Sequence, residues 1–376
     1  MRIGVPREVK DSERRIALLP AGVAELCAAG HTVRVERDAG AAVGFGDDVY
    51  RDAGALIVDA PDDVWQCELI VKVKELQPTE YGRLVAGTTI CGFAQLGRDP
   101  SLLAAVLAAR VRIIAFETIR DAQGSAPLLA PMSRIAGRLA PFAGAQALGT
   151  DRGGSGVLLP GVDDVPGANV VVIGAGSAGT EAALVACRLG CRVTLISRGA
   201  ARLLAATSAI AATGASVTAH TAADLGAAGF AAALKDADLV IGAVLVAGRL
   251  SPKLITRAHL RSMRTGSALV DIGIDQGGIA ETARMTTLSA PTYVEEGVVH
   301  YAVPNLPSLV ARTATLALAA AAFPFVRRLA DLGVVAALDA DPALVAGVMA
   351  WEGTIADARL AADAGVEAHA APWRRR

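Results

Sequence analysis

The 376-residue sequence is poor in aromatic residues, which make up 4%, and its formal net charge is only −1. A chain without a basic excess lacks the electrostatic footprint of proteins that bind nucleic acid or anionic membranes. No apolar run free of charges and helix breakers is long enough to span a bilayer, and the amino terminus shows no signal-peptide pattern. These absences predict a cytoplasmic protein that contacts neither nucleic acid nor membrane.

Cysteine and lysine are also scarce. The five cysteines are odd in number and show no C-x-x-C spacing, so they predict reduced, mostly buried thiols, and no metal site is expected. Only five of the 36 basic residues are lysine. Because a lysine amine can lose its proton and a guanidinium cannot, a lysine in this arginine-rich chain indicates a position where that chemistry is used. Two of the five, Lys72 and Lys74, share one apolar stretch.

The most informative stretch that is present covers residues 170–190, VVVIGAGSAGTEAALVACRLG. Four apolar residues run into Gly174, Gly176 and Gly179, and an alanine-rich amphipathic segment follows. This pattern predicts a strand, a tight turn and a helix that bind a dinucleotide. The first glycine permits the turn, the second lets the backbone approach a pyrophosphate, and the third lets the helix pack on the strand. The free N–H groups of the helix N-terminus face the phosphates.

The residues after the next strand indicate which cofactor is bound. NAD-specific folds carry Asp or Glu about twenty residues after the glycines to hydrogen-bond the ribose 2′-OH. This chain has Ser197 and Arg198 there. A hydroxyl can hydrogen-bond a 2′-phosphate and a guanidinium can pair with it, which predicts a preference for NADP(H), with NAD(H) as the alternative cofactor. The competing interpretation is that Ser197 is a turn residue and Arg198 a solvated surface charge.

Alternation of strands and helices over the whole chain predicts an α/β protein with two mainly parallel sheets and a cleft between two Rossmann-like domains. Strands are predicted at 1–6, 31–36, 55–58, 69–73, 89–93 and 112–116, and then at 170–173, 192–196, 216–218, 239–246, 267–274, 292–295 and 298–303. Long helices are predicted at 130–148 and 309–329, and the remainder, 341–364, is predicted to be helical.

Ligands of open α/β sheets bind outside the carboxyl ends of the strands, and polar residues occur at three such ends. Lys74 ends one predicted strand, Gln95 follows another, and Asp275 ends a third in which Asp271 lies inside. An amine, an amide and a carboxylate around a nicotinamide suit a polar carbonyl or imine substrate. The alternative is that Lys74 pairs with Glu75 or Glu68 and that Asp275 caps the following Gly-Gly turn.

At this point the chain resembles the alanine dehydrogenase and pyridine-nucleotide transhydrogenase α-subunit family, and alanine dehydrogenase more closely. The resemblance extends nearly end to end, through RIGVPRE, ERRIALLPAGV, LIVKVKE, LLAPMSRIAGRLA, VVVIGAGSAG, DLVIGAVLVAG, LVDIGIDQGG and VPNLPSLVARTAT. It implies a substrate domain formed by residues 1–130 and 305–376 and a dinucleotide-binding domain at 131–304. It also implies a homo-oligomer that transfers hydride between a nicotinamide nucleotide and a keto acid, imine or amino acid.

The resemblance also assigns roles to individual residues. Arg15 matches the arginine that binds the substrate carboxylate, Lys74 the lysine that contacts its carbonyl oxygen or carboxylate, and Asp275 an aspartate near the nicotinamide ribose. The alternative for Arg15 is a surface charge beside Glu13. The predicted cofactor-binding residues are Ser133, Gly174, Gly176, Ser177, Gly179, Ser197, Arg198, Val244, Leu245 and Asn305.

Three departures from the family pattern suggest an altered function. Gln95 stands where the family has a catalytic histidine, Ser197 stands where an aspartate is expected, and Ala311 replaces a proline. An amide can only hydrogen-bond, whereas a histidine transfers a proton near neutral pH. Lys74 is the preferred substitute donor. His300, close in sequence to Asn305, is the second, with an ordinary strand histidine as the alternative reading.

The resulting hypothesis is an NADP(H)-preferring oxidoreductase, similar to alanine dehydrogenase, that converts a 2-oxo acid or imine to an amino acid, with a substrate other than pyruvate. Arg15, Lys74, Gln95 and Asp275 form the predicted catalytic set. Two alternatives remain: a ketone or cyclic-imine reductase that does not incorporate ammonia, and a nucleotide-binding homologue without catalysis.

Overall fold

The computed structural model describes residues 1–244 and 250–374. The chain divides into two compact units. Unit 1 comprises Met1–Met132 and Ser308–Arg376, and unit 2 comprises Ser133–Pro307. The chain therefore passes from one unit to the other at 132/133 and at 307/308. The sequence predicts these domain boundaries at 130/131 and 304/305.

Unit 1 is built on an eight-stranded sheet with the order β3-β2-β1-β4-β5-β6-β14-β15. The six strands from the first part of the chain pair in parallel, and β14 and β15 are antiparallel additions. The strands are β1 (Arg2–Val5), β2 (Thr32–Glu36), β3 (Leu56–Val58), β4 (Leu69–Val71), β5 (Thr89–Gly92), β6 (Arg112–Ala115), β14 (Val348–Trp351) and β15 (Thr354–Ile355). The helices are α1 (Pro20–Ala28), α2 (Asp47–Asp52), α3 (Pro61–Trp65), α4 (Pro100–Ala109), α10 (Ala311–Leu332), α11 (Val334–Ala340), α12 (Pro342–Gly347) and α13 (Ala358–Asp363).

Local sequence signals explain where the unit 1 elements begin and end. Helix α1 starts at Pro20, whose ring fixes a helical φ, and is followed by Gly30 with a φ of 87°. Helix α4 starts after Asp99, whose carboxylate accepts the N–H groups of Ser101 and Leu102. The central strands β4 and β5 are buried at every position, as expected for parallel strands covered on both faces.

The prediction that residues 341–364 are helical is wrong in part. The segment contains β14 and β15 between helices α12 and α13. Strand β14 is buried at every position and pairs antiparallel with β6, so it covers what would be an exposed sheet edge. Glu352 and Gly353 join β14 to β15 with positive φ values of 47° and 95°, which is the backbone of a two-residue hairpin turn. Strand β6, the partner of β14, is more than 200 residues away in sequence, so no local pattern predicts their pairing.

Helix α10 is amphipathic within unit 1. Its buried residues include Ala314, Leu318, Ala322 and Val326, which repeat every four positions. With the 3-10 turn before it, the segment Leu306–Leu332 is the one described helix that is long and apolar enough to cross a membrane. The core helix of a soluble protein passes the same test, and the expected lack of membrane contact stays a prediction.

Unit 2 is built on a seven-stranded sheet with the order β9-β8-β7-β10-β11-β13-β12. Six strands pair in parallel, and β12 is antiparallel to β13. The strands are β7 (Asn169–Ile173), β8 (Arg192–Ser197), β9 (Thr218–Thr221), β10 (Leu239–Gly242), β11 (Ala268–Asp271), β12 (Thr292–Glu295) and β13 (Val298–Tyr301). The helices are α6 (Ser177–Arg188), α7 (Ala200–Ala211), α8 (Ala222–Lys235) and α9 (Arg257–Ser262), and α5 (Leu129–Ala147) contains the boundary between the units.

The fold-class prediction of two domains with mainly parallel, Rossmann-like sheets is confirmed. The predicted cleft between them stays a prediction. Several strand bounds need correction: β9 begins at Thr218 instead of 216, and β10 and β11 end at Gly242 and Asp271, well before the predicted 246 and 274. Asp271 is therefore the last residue of its strand and not an interior one. The apolar residues beyond it form a turn and a 3-10 helix, Ile274–Gln276, which alternation alone does not distinguish from a strand.

Candidate active site

Lys74 and Gln95 lie beyond the carboxyl ends of two neighbouring parallel strands in unit 1. Strand β4 ends at Val71, although the ladder continues through the N–H of Lys72, which donates to Cys91 at 2.9 Å. Gln95 follows β5 by three residues. Because β1, β4, β5 and β6 are adjacent and parallel, residues after all four ends meet at one edge of the sheet.

Arg15 is buried and not a surface charge, so the surface alternative is wrong. Its side chain is 2% exposed. Nε and Nη2 donate to Glu13 at 2.7 and 2.5 Å, and Nη1 donates to Sδ of Met132 at 3.2 Å. The bidentate pair fixes the plane of the guanidinium. A thioether is a weak acceptor that a carboxylate can readily replace, so the Nη1 end is the part of Arg15 suited to an anionic ligand.

Lys74 is buried, and the ammonium of Lys74 lies 3.4 Å from Oε2 of Glu75. Of the two partners considered from sequence, Glu75 is the one in contact, while Glu68 pairs with Arg2. Lys72, the second lysine of the stretch, forms two 2.8 Å hydrogen bonds with Glu80 and is 1% exposed. Lys72 is therefore held in a structural ion pair.

A carboxylate from the segment after β1 holds the backbone that carries Lys74. Glu8 accepts the N–H of Val73 at 2.5 Å and that of Lys74 at 3.3 Å, and it lies 3.7 Å from the ammonium of Lys72. Burial raises the pKa of Glu8 to about 7, and Lys72 and the Val73 N–H oppose this rise. Glu8 thus sits between the two neighbouring strands at the point where the strand order of unit 1 changes direction.

Gln95 adopts a left-handed backbone conformation with a φ of 47°. Glu117, two residues beyond β6, accepts the N–H of Gln95 at 2.7 Å and that of Ala94 at 3.1 Å with each oxygen. The side-chain oxygen of Gln95 accepts from Nη1 of Arg98 at 3.1 Å. Gln95 is therefore placed by its own backbone N–H, by the N–H of the preceding Ala94 and by its side-chain oxygen.

A small cavity lies behind this edge of the unit 1 sheet. Lys72, Lys74 and Glu75 supply its polar lining, and its volume is about 10 Å³. Such a space has room for about one water molecule. It is therefore too small to be a keto-acid site by itself.

The glycine turn of unit 2 has the geometry that its sequence predicts. Gly174 has a φ of 110°, and an added Cβ there would lie 2.4 Å from the carbonyl oxygen of Ala243. A Cβ on Gly179 would lie 1.7 Å from the carbonyl oxygen of Gly174, so helix and strand pack too closely for a side chain. A Cβ on Gly176 would meet nothing within 4 Å, which leaves the N-terminus of α6 and the exposed Ser177 open. A phosphate fits this open helix end.

The turn lies where the strand order of unit 2 changes direction. The chain proceeds from β7 outward to β9 and then returns to β10 on the other side of β7. Doubly wound folds bind dinucleotides at this position. Ser197 is the buried last residue of β8, the next strand outward, and Arg198 is exposed directly after it.

The remaining predicted cofactor residues are distributed as follows. Val244 is half-buried directly after β10, Ser133 lies in α5, and Asn305 has a left-handed φ of 58° after β13. Leu245 lies outside the described residues. Within residues 1–244 and 250–374, no group of three or more His, Cys, Asp and Glu side chains is placed to hold a metal ion.

Asp271 organises the loop after β11. Asp275 is half-buried in the 3-10 helix. Asp271 accepts the N–H of Gly273 at 3.1 Å and that of Ile279 at 2.7 Å, and so closes the turn that contains Gly277 and Gly278. Burial raises the pKa of Asp271 to about 6, although both hydrogen bonds and Lys253 oppose the rise.

His300 is held inside unit 2. Its Nδ1 lies 2.9 Å from the carbonyl oxygen of Val298, so Nδ1 donates, and Nε2, 2.8 Å from Thr282 Oγ1, accepts. The ring stacks on Tyr293 with 4.7 Å between centroids. Burial lowers the pKa of His300. These contacts favour the ordinary strand histidine over the proton donor.

Comparison with known proteins identifies relatives of this chain. The family models "Alanine dehydrogenase/PNT, N-terminal domain" and "Alanine dehydrogenase/PNT, C-terminal domain" match residues 4–136 and 140–358. An alanine dehydrogenase of Halomonas elongata is 45% identical over 368 residues, which cover 98% of each chain. The chain belongs to the alanine dehydrogenase/PNT family.

Solved structures agree with this assignment. One titled L-alanine dehydrogenase has a TM-score of 0.91 at 40% identity and covers 97% of this chain and 99% of its own. A transhydrogenase from Sinorhizobium meliloti has a TM-score of 0.78 at 25% identity and covers 94% and 98%. As a member of the alanine dehydrogenase/PNT family, the chain is an NAD(P)-dependent oxidoreductase of the amino-acid dehydrogenase type.

Sequence reasoning missed the carboxylates that support the candidate residues of this family member. Glu8, Glu117 and Asp271 each accept backbone N–H groups beside a candidate residue. One signal is visible in the sequence: each acid stands at the end of a buried apolar run or up to three residues after it, in RIGVPRE, RIIAFE and ALVD. The partner of each carboxylate is set only by the fold.

The raised pKa of Asp271 predicts a pH-dependent stability. Because the folded state binds this proton more tightly than the unfolded chain, the contribution of Asp271 to stability decreases as pH rises from about 4 to about 6. Asp271→Asn removes this dependence. Relative to Asp271→Asn, the wild type should therefore lose up to about 3 kcal/mol of unfolding free energy as pH rises across this window. Urea unfolding at a series of pH values measures it.

The matched control is Asp151→Asn, which removes an exposed carboxylate from the same unit. A lost hydrogen bond in Asp271→Asn lowers stability equally at all pH values, so only the slope with pH decides the outcome. Parallel pH profiles for wild type and Asp271→Asn would contradict the assignment of the raised pKa.

Proposed function

We propose that the protein is an NADP(H)-preferring oxidoreductase that reduces a 2-oxo acid or imine to an amino acid, with a substrate other than pyruvate. The observation that carries the proposal is the burial of two cations, Arg15 and Lys74, in unit 1. Burying a charge is costly even when it is paired. Lys72 is also buried and is matched by two hydrogen bonds to Glu80, whereas Arg15 and Lys74 stand where the family resemblance implies contacts with the substrate. Binding and polarising an anionic carbonyl substrate is a function that suits these two cations.

Arg15 would bind the substrate carboxylate. Glu13 fixes the guanidinium plane through Nε and Nη2, and the Nη1 end now contacts the thioether of Met132. A carboxylate that replaces this weak acceptor gains a charge-assisted hydrogen bond in a buried setting. Arg15 would thus orient the substrate.

Lys74 would polarise the carbonyl or imine and supply the proton that a histidine supplies in the family pattern. Its ammonium is held 3.4 Å from Glu75, and its backbone is held by Glu8. Gln95, from the next strand end, would donate a hydrogen bond from its amide. An imine can arrive already protonated, so the glutamine also supports the alternative of an imine reductase that does not use ammonia.

The dinucleotide would bind unit 2. The residues fit this group because Gly176 leaves the α6 N-terminus open and Gly174 and Gly179 permit the tight turn. When bound, the nicotinamide supplies or accepts the hydride. Ser133, Ser177, Val244, Leu245, Asn305 and Asp275 would complete the contacts, as the resemblance implies.

Ser197 and Arg198 support the NADP(H) preference. A hydroxyl ends β8 where an acidic residue would repel a 2′-phosphate, and an exposed guanidinium follows. Arg202, exposed in the first turn of α7, adds a second positive charge four residues after Arg198. Unit 2 would be the dinucleotide-binding domain and unit 1 the substrate domain of a cytoplasmic homo-oligomer that binds neither nucleic acid nor membrane.

The decisive assay measures initial rates of NADPH and NADH oxidation by the purified protein. Pyruvate and larger 2-oxo acids are each supplied with ammonium, and cyclic imines are supplied without it. We expect NADPH oxidation that is faster with a larger 2-oxo acid or an imine than with pyruvate. Efficient turnover of pyruvate would overturn the substrate proposal and indicate an ordinary alanine dehydrogenase. NADPH binding without any turnover would support the non-catalytic alternative.

A second prediction concerns Lys74. Lys74→Ala should lower kcat on the best substrate by about 10²- to 10⁴-fold, the usual contribution of a general acid. Lys235→Ala, an exposed lysine at the end of α8, is the matched control and should leave kcat unchanged. Retained reductase activity in Lys74→Ala would exclude this lysine as the essential proton donor.

A third prediction concerns cofactor choice. Ser197→Asp places a carboxylate beside the expected 2′-phosphate, so the Kd for NADPH should rise about 10- to 100-fold while NADH binding is kept. Fluorescence titration of both cofactors measures the change. Ser208→Asp, on the exposed face of α7, controls for added charge. Equal wild-type affinity for NADH and NADPH would contradict the preference.

A further inference from the structure

Four neighbouring strands of unit 1 end in a row of polar residues. In sheet order, β6, β5, β4 and β1 are followed by Glu117, Gln95, Lys74 and Glu8. Lys74 and Gln95 have roles in the proposed reaction, and Glu8 is joined to the backbone of Lys74 and to the buried Lys72. Glu117 is the member of the row without an assigned role, although its charge also acts on Lys74.

The contacts of Glu117 are directed at the backbone of Gln95. Oε1 accepts the Gln95 N–H at 2.7 Å, and both oxygens accept the Ala94 N–H at 3.1 Å. These N–H groups lie in a turn beyond the end of β5, where no sheet ladder can satisfy them. A single carboxylate therefore supplies the acceptors for two consecutive backbone amides.

The turn that Glu117 holds is conformationally unfavourable. Gln95 has a φ of 47°, a left-handed conformation that is unfavourable for a residue with a side chain. Such a conformation persists only when its surroundings impose it. The hydrogen bonds that Ala94 and Gln95 donate to Glu117 impose it here, and Arg98 donates to the oxygen of the Gln95 amide.

Burial and hydrogen bonding act on Glu117 in opposite directions. Burial raises the pKa of Glu117, while the N–H groups of Gln95 and Ala94 and the charge of Lys74 lower it in part. The two backbone N–H groups and Lys74 thus offset part of the desolvation of Glu117.

We infer that Glu117 is a positioning residue of the reaction: it holds Gln95 in the left-handed turn that directs its amide toward the substrate, beside Lys74. The inference rests on the proposed function. Glu117 itself transfers no proton and touches no substrate. Glu117 thus lets the amide of Gln95 take the position that a histidine has in the family pattern. The backbone turn, and not the side chain alone, sets the direction in which this amide points.

The first measurement does not depend on activity. In the protein without ligands, hydrogen exchange of the peptide covering residues 92–98 is followed by mass spectrometry. Glu117→Gln replaces one acceptor oxygen by a donor, so the amides of Ala94 and Gln95 should exchange at least about tenfold faster. Glu352→Gln is the control, because Glu352 pairs with Arg112 at the opposite end of β6. Unchanged exchange in Glu117→Gln would overturn the inference.

The second measurement is a double-mutant cycle on the best substrate from the assay. Glu117→Gln alone should lower kcat about 10- to 100-fold and leave the KM for NADPH within about twofold. In a Gln95→Ala background the same change should lower kcat less than about threefold, because the side chain that Glu117 positions is gone. A full effect in both backgrounds would show that Glu117 does not act through Gln95 and would overturn the inference.

The two measurements separate this inference from the proposed function. If wild type turns over none of the substrates, the proposed function fails, while hydrogen exchange still decides whether Glu117 holds the turn. If wild type is active and Glu117→Gln changes neither exchange nor kcat, the inference alone fails. Glu117→Asp, which keeps the charge on a shorter side chain, should recover part of the exchange protection if Glu117→Gln folds poorly.

Discussion

Buried carboxylates that accept backbone N–H groups hold three of the segments on which the candidate chemistry depends. Glu8 holds the backbone at Lys74, Glu117 that at Gln95, and Asp271 the loop that carries Asp275. A chain that leaves the end of a strand loses its ladder partners, and its N–H groups still need acceptors. A carboxylate meets this need for two amides at once, with charge-assisted hydrogen bonds.

This arrangement makes irregular segments rigid at an energetic cost. Desolvation raises the pKa of Glu8 to about 7 and that of Asp271 to about 6. Ionising either group therefore requires more free energy in the folded protein than in the unfolded chain. Catalytic sites gain from groups whose positions are set before the substrate binds. Burying Glu8 and Asp271 thus lowers the stability of the fold, and the same two carboxylates hold Lys74 and the loop of Asp275 in position.

The two units repeat one topological solution. In each, six parallel strands run outward from a central strand and then return on its other side, which creates a switch point: β1 and β4 in unit 1, β7 and β10 in unit 2. Glu8 and the Lys74 backbone meet at the first, and the glycine turn lies at the second. One edge of each sheet ends in an antiparallel hairpin whose turn is a Glu-Gly pair with positive φ values: Glu296–Gly297 joins β12 to β13, and Glu352–Gly353 joins β14 to β15.

Features that depend on neighbours along the chain could be predicted from the sequence alone. The alternation of strands and helices, the glycine turn at 174–179 and the long helices follow from periodicity and from the conformational limits of glycine and proline. The same local signals indicated that Lys74 and Gln95 lie near strand ends. The tertiary structure decided which distant groups meet: Glu8 with Lys74, 66 residues apart, Glu117 with Gln95, and β14 with β6. Such pairs are set by sheet order, and no periodicity along the chain encodes the neighbour that a strand end will acquire.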